Sequence, residues 1–411
     1  MPKYDIACIG AGISGLATAT LLAKTGKTVC LIDPADRPGG CIAPQELAGF
    51  RYAPGPPITY GFEPGGILQK LFADLGLPVS ATSPCSGYQV VMPDHRISVS
   101  GDLQETLDEL CREFSDTKSG LTKLYREVRD LSERSSKSRL SSYVYRKRSA
   151  AAYLESYQFN KSILSYFDVQ SRFFFGYTLQ QMPLASLILM ITRAPRYIPG
   201  GFAGIADQLL SLFQQRGTWY QNEPFPELQA RSNRITGINM SREHIETRTV
   251  ILNVPGDQRE SILLLGIRDQ VVPVGMFPIA LCIEKGEYVG NYYSLFLSPV
   301  DDPTSAPAGM RSLIAAFPSG HSQDQPVDVF MNRISTVIPF LQEFHVHASM
   351  QDAVAMRCSL PPAVTVKPSV SRSGRSFLTH CSAKNLMIIP DSVRSILPAL
   401  STARNLALKL R

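Results

Sequence analysis

Three glycines, Gly10, Gly12 and Gly15, are spaced G-x-G-x-x-G in the stretch IGAGISGL, and a carboxylate, Asp33, follows 18 residues after the last of them. This spacing suits the binding of a dinucleotide. The first glycine permits a tight turn, the second lets backbone approach a pyrophosphate, and the third lets a helix pack on a strand. Ile13 and Ser14 lie between them, at the helix start, where backbone N–H groups and the positive end of the helix dipole meet phosphate oxygens. An acid placed about 20 residues further on accepts ribose hydroxyls.

Other reactive side chains form no recognisable set. The six histidines (His95, His244, His321, His345, His347, His380) fall in no catalytic spacing. His345 and His347 alternate as on one strand face, which reads as structural or surface placement rather than a ligand pair. The eight cysteines include no CxxC pair and several sit inside apolar runs, so buried reduced thiols in a reducing compartment are expected, and no metal. The chemistry would therefore be that of a bound cofactor.

The elements around the glycines carry the reading. The run YDIACIG (4–10) has strand character, AGISGLATATLLAKTG has helical spacing, and TVCLID is a second strand ending in Asp33. Without that strand–helix–strand context, a glycine-rich turn with no ligand would be the alternative. A net charge of +6 over 411 residues is too mild for a nucleic-acid binder. The N-terminus lacks secretory-signal features, and the apolar run MPLASLILMI (182–191) is about half the roughly 20 residues that cross a bilayer. A cytoplasmic protein is expected, with peripheral contact at the inner membrane face as one option. That option comes from residues 134–148, with six basic residues, no acid, and Tyr143 and Tyr145; a solvated face is the other reading.

After Asp33 the chain continues PADRPGGCIAPQELAGFRYAPGPP, bringing Pro34, Arg37, Gly39, Gly40, Cys41 and then Gly55, Pro56 and Pro57. This order resembles flavoproteins of the amine oxidase and phytoene (carotenoid) desaturase superfamily, in which R-x-G-G and a G-F-x-[FY]-D-x-G-P segment line the flavin. The resemblance implies that Gly39 and Gly40 approach the FAD diphosphate and ribityl chain, and that Gly55 and Pro56 lie near the isoalloxazine ring. Cys41 stands where the family has Arg, and Ala53 where it has Asp. Further on, FDVQSRFFFGY, a proline, an apolar helix, YIPGG and FAGIADQLLSLFQQRG match the desaturase branch in order. There the apolar helices wall a substrate tunnel, which makes Phe173, Phe174, Phe175, Leu187 and Ile191 tunnel candidates; from the residues alone they read as core. The resemblance also implies backbone contacts to adenine from Phe225, Pro226 and Glu227, and a strand ending in N-x-P at Asn253.

The chain ends with NLMIIPDSVRSILPALSTARNLALKL, an apolar strand, Asp391 and a helix. The family closes with Gly-Asp, a glycine-rich turn and a helix facing the flavin, so Asp391 would accept a ribityl hydroxyl, with Leu397 and Pro398 beside the ring. Pro390 replaces the usual glycine, and Ile396, Leu397, Pro398 and Ala399 replace the glycine-rich turn.

The expected fold is α/β. A Rossmann-type FAD-binding domain of the glutathione-reductase kind, on a parallel sheet, would be built from 1–77, 196–257 and 350–411. A discontinuous α+β substrate domain would be built from 78–195 and 258–349, helical over about 101–195 and an antiparallel sheet over about 258–349. The expected activity is FAD-dependent desaturation or isomerisation of a long apolar, isoprenoid substrate, with hydride transfer to flavin N5. Two alternatives remain: an amine oxidase-like oxidation of a C–N bond, with Lys367 as the candidate lysine, and a flavin-fold protein that binds a lipid or partner without turnover.

Overall fold

Apolar runs near the N-terminus build the first sheet. In the computed structural model, β1 (Lys3–Ile9) is buried along its apolar half and β2 (Val29–Ile32) along its whole length. A strand covered on both faces belongs inside a parallel sheet. Both strands pair in parallel with each other, and β1 pairs in parallel with the long β6 (His244–Pro255). The structure describes residues 1–78, 83–137, 139–198, 201–255, 261–269, 280–283, 294–299, 305–317, 326–350, 366–367, 380–381, 384–391 and 396–410.

The sheet runs β3 (Thr218–Tyr220), β2, β1, β6, with β7 (Leu386–Asp391) beside the second half of β6. All five are parallel. The hairpin of β4 (Glu227–Arg231) and β5 (Arg234–Asn239) adds antiparallel to the first half of β6. Because the five share a direction, their C-terminal ends share one edge. Gly10 follows β1 there, Asp33 follows β2, and Asn253 and Asp391 stand at the ends of β6 and β7. In open α/β sheets that edge is where ligands bind.

Helix α1 (Ile13–Lys24) is buried from Ile13 to Ala23, with small residues at Gly15, Ala17 and Ala19. It is covered by the sheet, by α6 (Ala203–Gln214) and by the C-terminal α7 (Ile396–Leu410). Leu400, Ala403, Leu406 and Ala407 form the buried stripe of α7 at helical spacing. Pro398 lies in the first turn of α7, where a proline costs no intrahelical hydrogen bond.

The second sheet is built from the other parts of the chain. Its order is 345–350, 261–268, 310–317, 294–299, 280–283, 87–91, 96–100. Every pairing is antiparallel except that of 280–283 with 87–91. Helices cluster beside it: Leu103–Glu113, α2 (Lys118–Lys137), α3 (Arg139–Lys147), α4 (Lys161–Phe175) and α5 (Leu184–Thr192). Asp102 caps the first of these as its sequence suggests, accepting from the N–H groups of Gln104 at 2.7 Å and Glu105 at 3.2 Å. The chain alternates between the two sheets.

Candidate functional site

The turn between β1 and α1 is closed by its glycines. Gly10 has φ +103°, and a Cβ there would sit 2.3 Å from the Asn253 carbonyl oxygen. A Cβ on Gly15 would sit 2.3 Å from the Gly10 carbonyl oxygen and 2.8 Å from Asn253 Cβ. Neither distance is physically available to a carbon, so both positions require glycine. Gly12 caps α1 without a side chain, and the first bond of the helix is Leu16 N–H to Gly12 C=O at 2.9 Å. Ile13 and Ser14 thus occupy the helix-start turn that the spacing assigns to them.

Asp33 closes the same turn from β2. Its Oδ2 accepts the Ala11 N–H at 2.5 Å and its Oδ1 accepts the Ala35 N–H at 2.8 Å. It is 4% exposed. Burial raises its pKa, and the two backbone N–H groups act against that rise. Each carboxylate oxygen keeps a second lone pair for a further donor.

The R-x-G-G segment folds over the turn. Gly39 N–H donates to the Ala11 carbonyl at 2.8 Å, and Gly12 and Gly39 form a parallel bridge. Gly39 and Gly40 both have positive φ, +110° and +57°. Cys41 is half-buried in the short turn Gly40–Ile42 that follows. Pro34 and Arg37 are exposed, and Arg37 has no hydrogen bond or ion pair among the described residues. The structure therefore brings the glycines of this segment to the turn but leaves Pro34 and Arg37 at its rim.

Two distant segments meet next to it. Pro57 C=O accepts the Ile198 N–H at 2.8 Å, and the strand 58–59 pairs with 196–197. Gly55 packs against Ile42 and Phe202, and Pro56 is buried beside it. The stretch entering β4 lies against Asp33, through Glu223 N–H to Asp33 C=O at 3.0 Å and Asn222 N–H to Ala35 C=O at 3.2 Å. Phe225 packs on the cluster of Ile9, Ile32 and Leu252, Pro226 is buried, and the Glu227 carboxylate is turned outward to Asn239 at 3.2 Å.

Asn253 is 3% exposed, and its Nδ2 donates to the Ile389 carbonyl at 3.2 Å. Its Oδ1 has no hydrogen-bond partner among the described residues. Asp391 ends β7 opposite Pro255, and Pro390 stands opposite Val254. Residues 392–395, part of the turn that departs from the family pattern, lie outside the described residues. Leu397 is 8% exposed and meets Gly61: a Cβ there would lie 2.6 Å from Leu397 Cδ1. Gly61, at φ +103°, is thus the seat of the terminal helix.

The tunnel candidates separate. Three consecutive helical residues point about 100° apart, so they cannot all face one channel. Phe173 packs on Phe296 (5.1 Å), while Phe174 and Phe175 pack on Tyr60 (4.8 and 5.8 Å). Leu187 is fully buried. Ile191 does line open space: a groove of about 170 Å³ between α2 and α5, and a void of about 20 Å³ further in. The void is lined by Tyr60, Tyr125, Tyr166 and Gln170. Tyr88 donates to Gln170 Oε1, and Gln170 Nε2 donates to the Tyr166 carbonyl at 2.7 Å. Burial raises the pKa of all four tyrosines, so they stay neutral donors at physiological pH.

Several supporting residues escape a reading of motifs. Glu223 accepts from the Ser241 N–H and, at 2.6 Å, from its hydroxyl, which ties the entry of β4 to the β5–β6 turn. Asn385 receives the Ile235 N–H and donates to the carbonyls of Ile235 and Arg248, each at 2.8 Å, fixing the start of β7. Cys8 and Cys30 are buried in the sheet, and burial pushes the Cys8 thiol up to about 12. His345 is exposed, and no group of three or more metal-ligating side chains occurs among the described residues.

A parallel sheet with a glycine turn and an acid at its C-terminal edge, joined to a second, mostly antiparallel sheet, defines a Rossmann-type fold of two alternating parts. The comparisons agree. Residues 8–75 match the family model described as NAD(P)-binding Rossmann-like domain. A prolycopene isomerase from Daucus carota is 30% identical over 129 residues, 30% of this chain and 21% of that one. A carotenoid 3,4-desaturase from Haloarcula japonica is 22% identical over 275 residues, 59% of this chain and 53% of that one. The chain thus spans about a fifth and about half of these two relatives. Among solved structures, RAB GDI from Plasmodium falciparum aligns with a TM-score of 0.65 at 13% identity, covering 98% of each chain. Cyclohexylamine oxidase from Brevibacterium oxydans aligns with a TM-score of 0.56 at 15% identity, covering 100% of this chain and 99% of that one. The chain has the fold of the desaturase and amine oxidase superfamily.

Proposed function

We propose that this chain is an FAD-dependent oxidoreductase that desaturates or isomerises a long apolar substrate of isoprenoid type. The observation that carries the reading is the closed turn at the sheet edge, where Gly10 and Gly15 admit no Cβ and Asp33 is drawn in by Ala11 and Ala35. Such close packing sets the free N–H groups of the α1 start at the sheet edge, where a ligand's diphosphate would meet them. The two curated relatives, named as a carotenoid desaturase and a prolycopene isomerase, support the choice of substrate class.

In this reading the Gly10–Gly15 turn and the start of α1 hold the diphosphate, and Asp33 holds the adenosine ribose. Gly39 and Gly40 allow the backbone close to the ribityl chain, and the segment at Phe225–Pro226 borders the adenine. The unsatisfied Oδ1 of Asn253 offers one more acceptor at the same edge. A bound FAD supplies a hydride acceptor at N5. The chain's own contribution is orientation and exclusion of water by aromatic walls such as Tyr60, Phe174 and Phe175. Anaerobic incubation of the flavin-loaded protein with linear polyenes tests the reading. Bleaching of the flavin by a polyene and not by amines is expected; bleaching by amines alone would replace it with C–N oxidation.

A further inference from the structure

The basic run of residues 134–148 has a definite shape. It spans the end of α2 and the whole of α3, and α3 packs across both α2 and α5. On α3, Leu140, Tyr143 and Val144 are 73%, 43% and 49% exposed. They stand at i, i+3 and i+4, so one face of the helix is apolar and uncovered. Lys147 continues that stripe, its ammonium 4.7 Å from the Tyr143 ring centroid. Arg146 and Arg148 are exposed beside it.

α2 and α5, the two helices that α3 packs across, wall a groove. Ser132 and Thr192 face each other across it at 3.4 Å, and Arg129 and Arg193 stand exposed at its mouth. Glu133, also at the mouth, is the acid nearest the run, and residues 134–148 contain none. No helix among the described residues is long and apolar enough to cross a membrane.

We propose that α3 seats on an anionic phospholipid surface, its apolar stripe in the headgroup boundary and its cations on the phosphates, so that the α2–α5 groove opens toward the bilayer. Apolar exposure alone would not choose the occupant. Six cations without an acid choose a surface of negative charge, and the adjoining groove gives that surface something to deliver. The inference extends the proposed function by naming where an apolar substrate enters. It is tested without flavin or turnover, so the two can fail separately.

The experiment is vesicle flotation of the full chain with phosphatidylcholine alone and with phosphatidylcholine containing phosphatidylglycerol, at low and high salt. Binding to the anionic vesicles is expected to be at least about tenfold tighter, and to be released by high salt. Arg146→Glu with Lys147→Glu should bring binding to the neutral-vesicle level, and Leu140→Ser with Val144→Ser should weaken it severalfold. Thermal melting of each variant verifies folding. If the charge variant fails to fold, salt release of the unaltered protein decides the matter. Equal binding to both vesicles, absence of binding to either, or an exposed stripe consumed by self-association in solution would overturn the proposal.

Discussion

The closure of the phosphate turn can be tested by adding a single methyl group. Gly15→Ala would place Cβ 2.3 Å from the Gly10 carbonyl oxygen, 2.8 Å from Asn253 Cβ and 2.9 Å from Asn253 Oδ1. Carbon contacts are ordinarily about 3.5–4.0 Å, so the shortfall against backbone exceeds about 1 Å. The neighbours cannot yield cheaply. Gly10 is held by its N–H to Ile32 C=O at 2.8 Å, and Asn253 by its bond to Ile389. Helix α1 must therefore move off the turn. Overpacking of this kind costs about 1–3 kcal/mol, partly offset by about 0.5–1 kcal/mol from replacing a helical glycine. A fall in Tm of several degrees follows at about 2–4 °C per kcal/mol. Shifting phosphate-facing backbone by about 1 Å also removes one or two charge-assisted bonds of about 1.5–3 kcal/mol, weakening FAD binding about 10- to 10,000-fold. Gly204→Ala is the control. It lies exposed in α6 with nothing within 4 Å of its Cβ position, so it should stabilise by about 0.5–1 kcal/mol and leave FAD binding unchanged. The assay is quenching of the single tryptophan, Trp219 on β3, during titration with FAD, with calorimetry in parallel. Equal FAD affinity and equal Tm for Gly15→Ala and the parent would refute the reasoning.

Other substitutions probe separate parts. Asp33→Asn keeps the shape but loses the charge: FAD affinity should fall about 10- to 100-fold, read by the same titration. Because burial raises the Asp33 pKa above its ordinary 3.8, its ionisation opposes folding of the chain without cofactor. Its contribution to stability is greatest below that value and is lost as pH rises to the folded-state pKa; urea midpoints across that window should show this downward component in the parent and not in Asp33→Asn. Gly61→Ala meets both a positive φ and Leu397, and should cost about 2–4 kcal/mol, seen as a lower urea midpoint. Asn385→Ala strands the Ile235 N–H and two carbonyls, and a loss of about 2–3 kcal/mol is expected with little direct effect on the turn at Gly10.

Much of the dinucleotide edge was legible because its parts are local. A strand, a glycine turn, a helix and a second strand ending in Asp33 occupy one unbroken stretch, and each residue's type is dictated by backbone close to it. Asn253 and the end of β7 could be placed by order along the chain. The contacts that hold the edge together were not legible, because they join residues far apart with unremarkable types. Gly61 reads as one glycine among many until Leu397 is seen against it. Glu223 reads as a loop acid until Ser241 is found bonded to it. Arg37 reads as part of a phosphate motif, yet its long side chain stands exposed at the rim. Phe173, Phe174 and Phe175 read as one apolar wall, although Phe173 packs on Phe296 while Phe174 and Phe175 pack on Tyr60. The tyrosine–glutamine network around Gln170 draws on four separate segments and no spacing announces it.

The central claim is that the Gly10–Gly15 turn and Asp33 hold FAD. Incubation of the purified chain with FAD, removal of unbound flavin by gel filtration and a visible spectrum of the protein fraction test it directly. The account predicts close to one retained flavin per chain, lost in Gly15→Ala and kept in Gly204→Ala. A protein fraction without flavin absorption after incubation with excess FAD would contradict it.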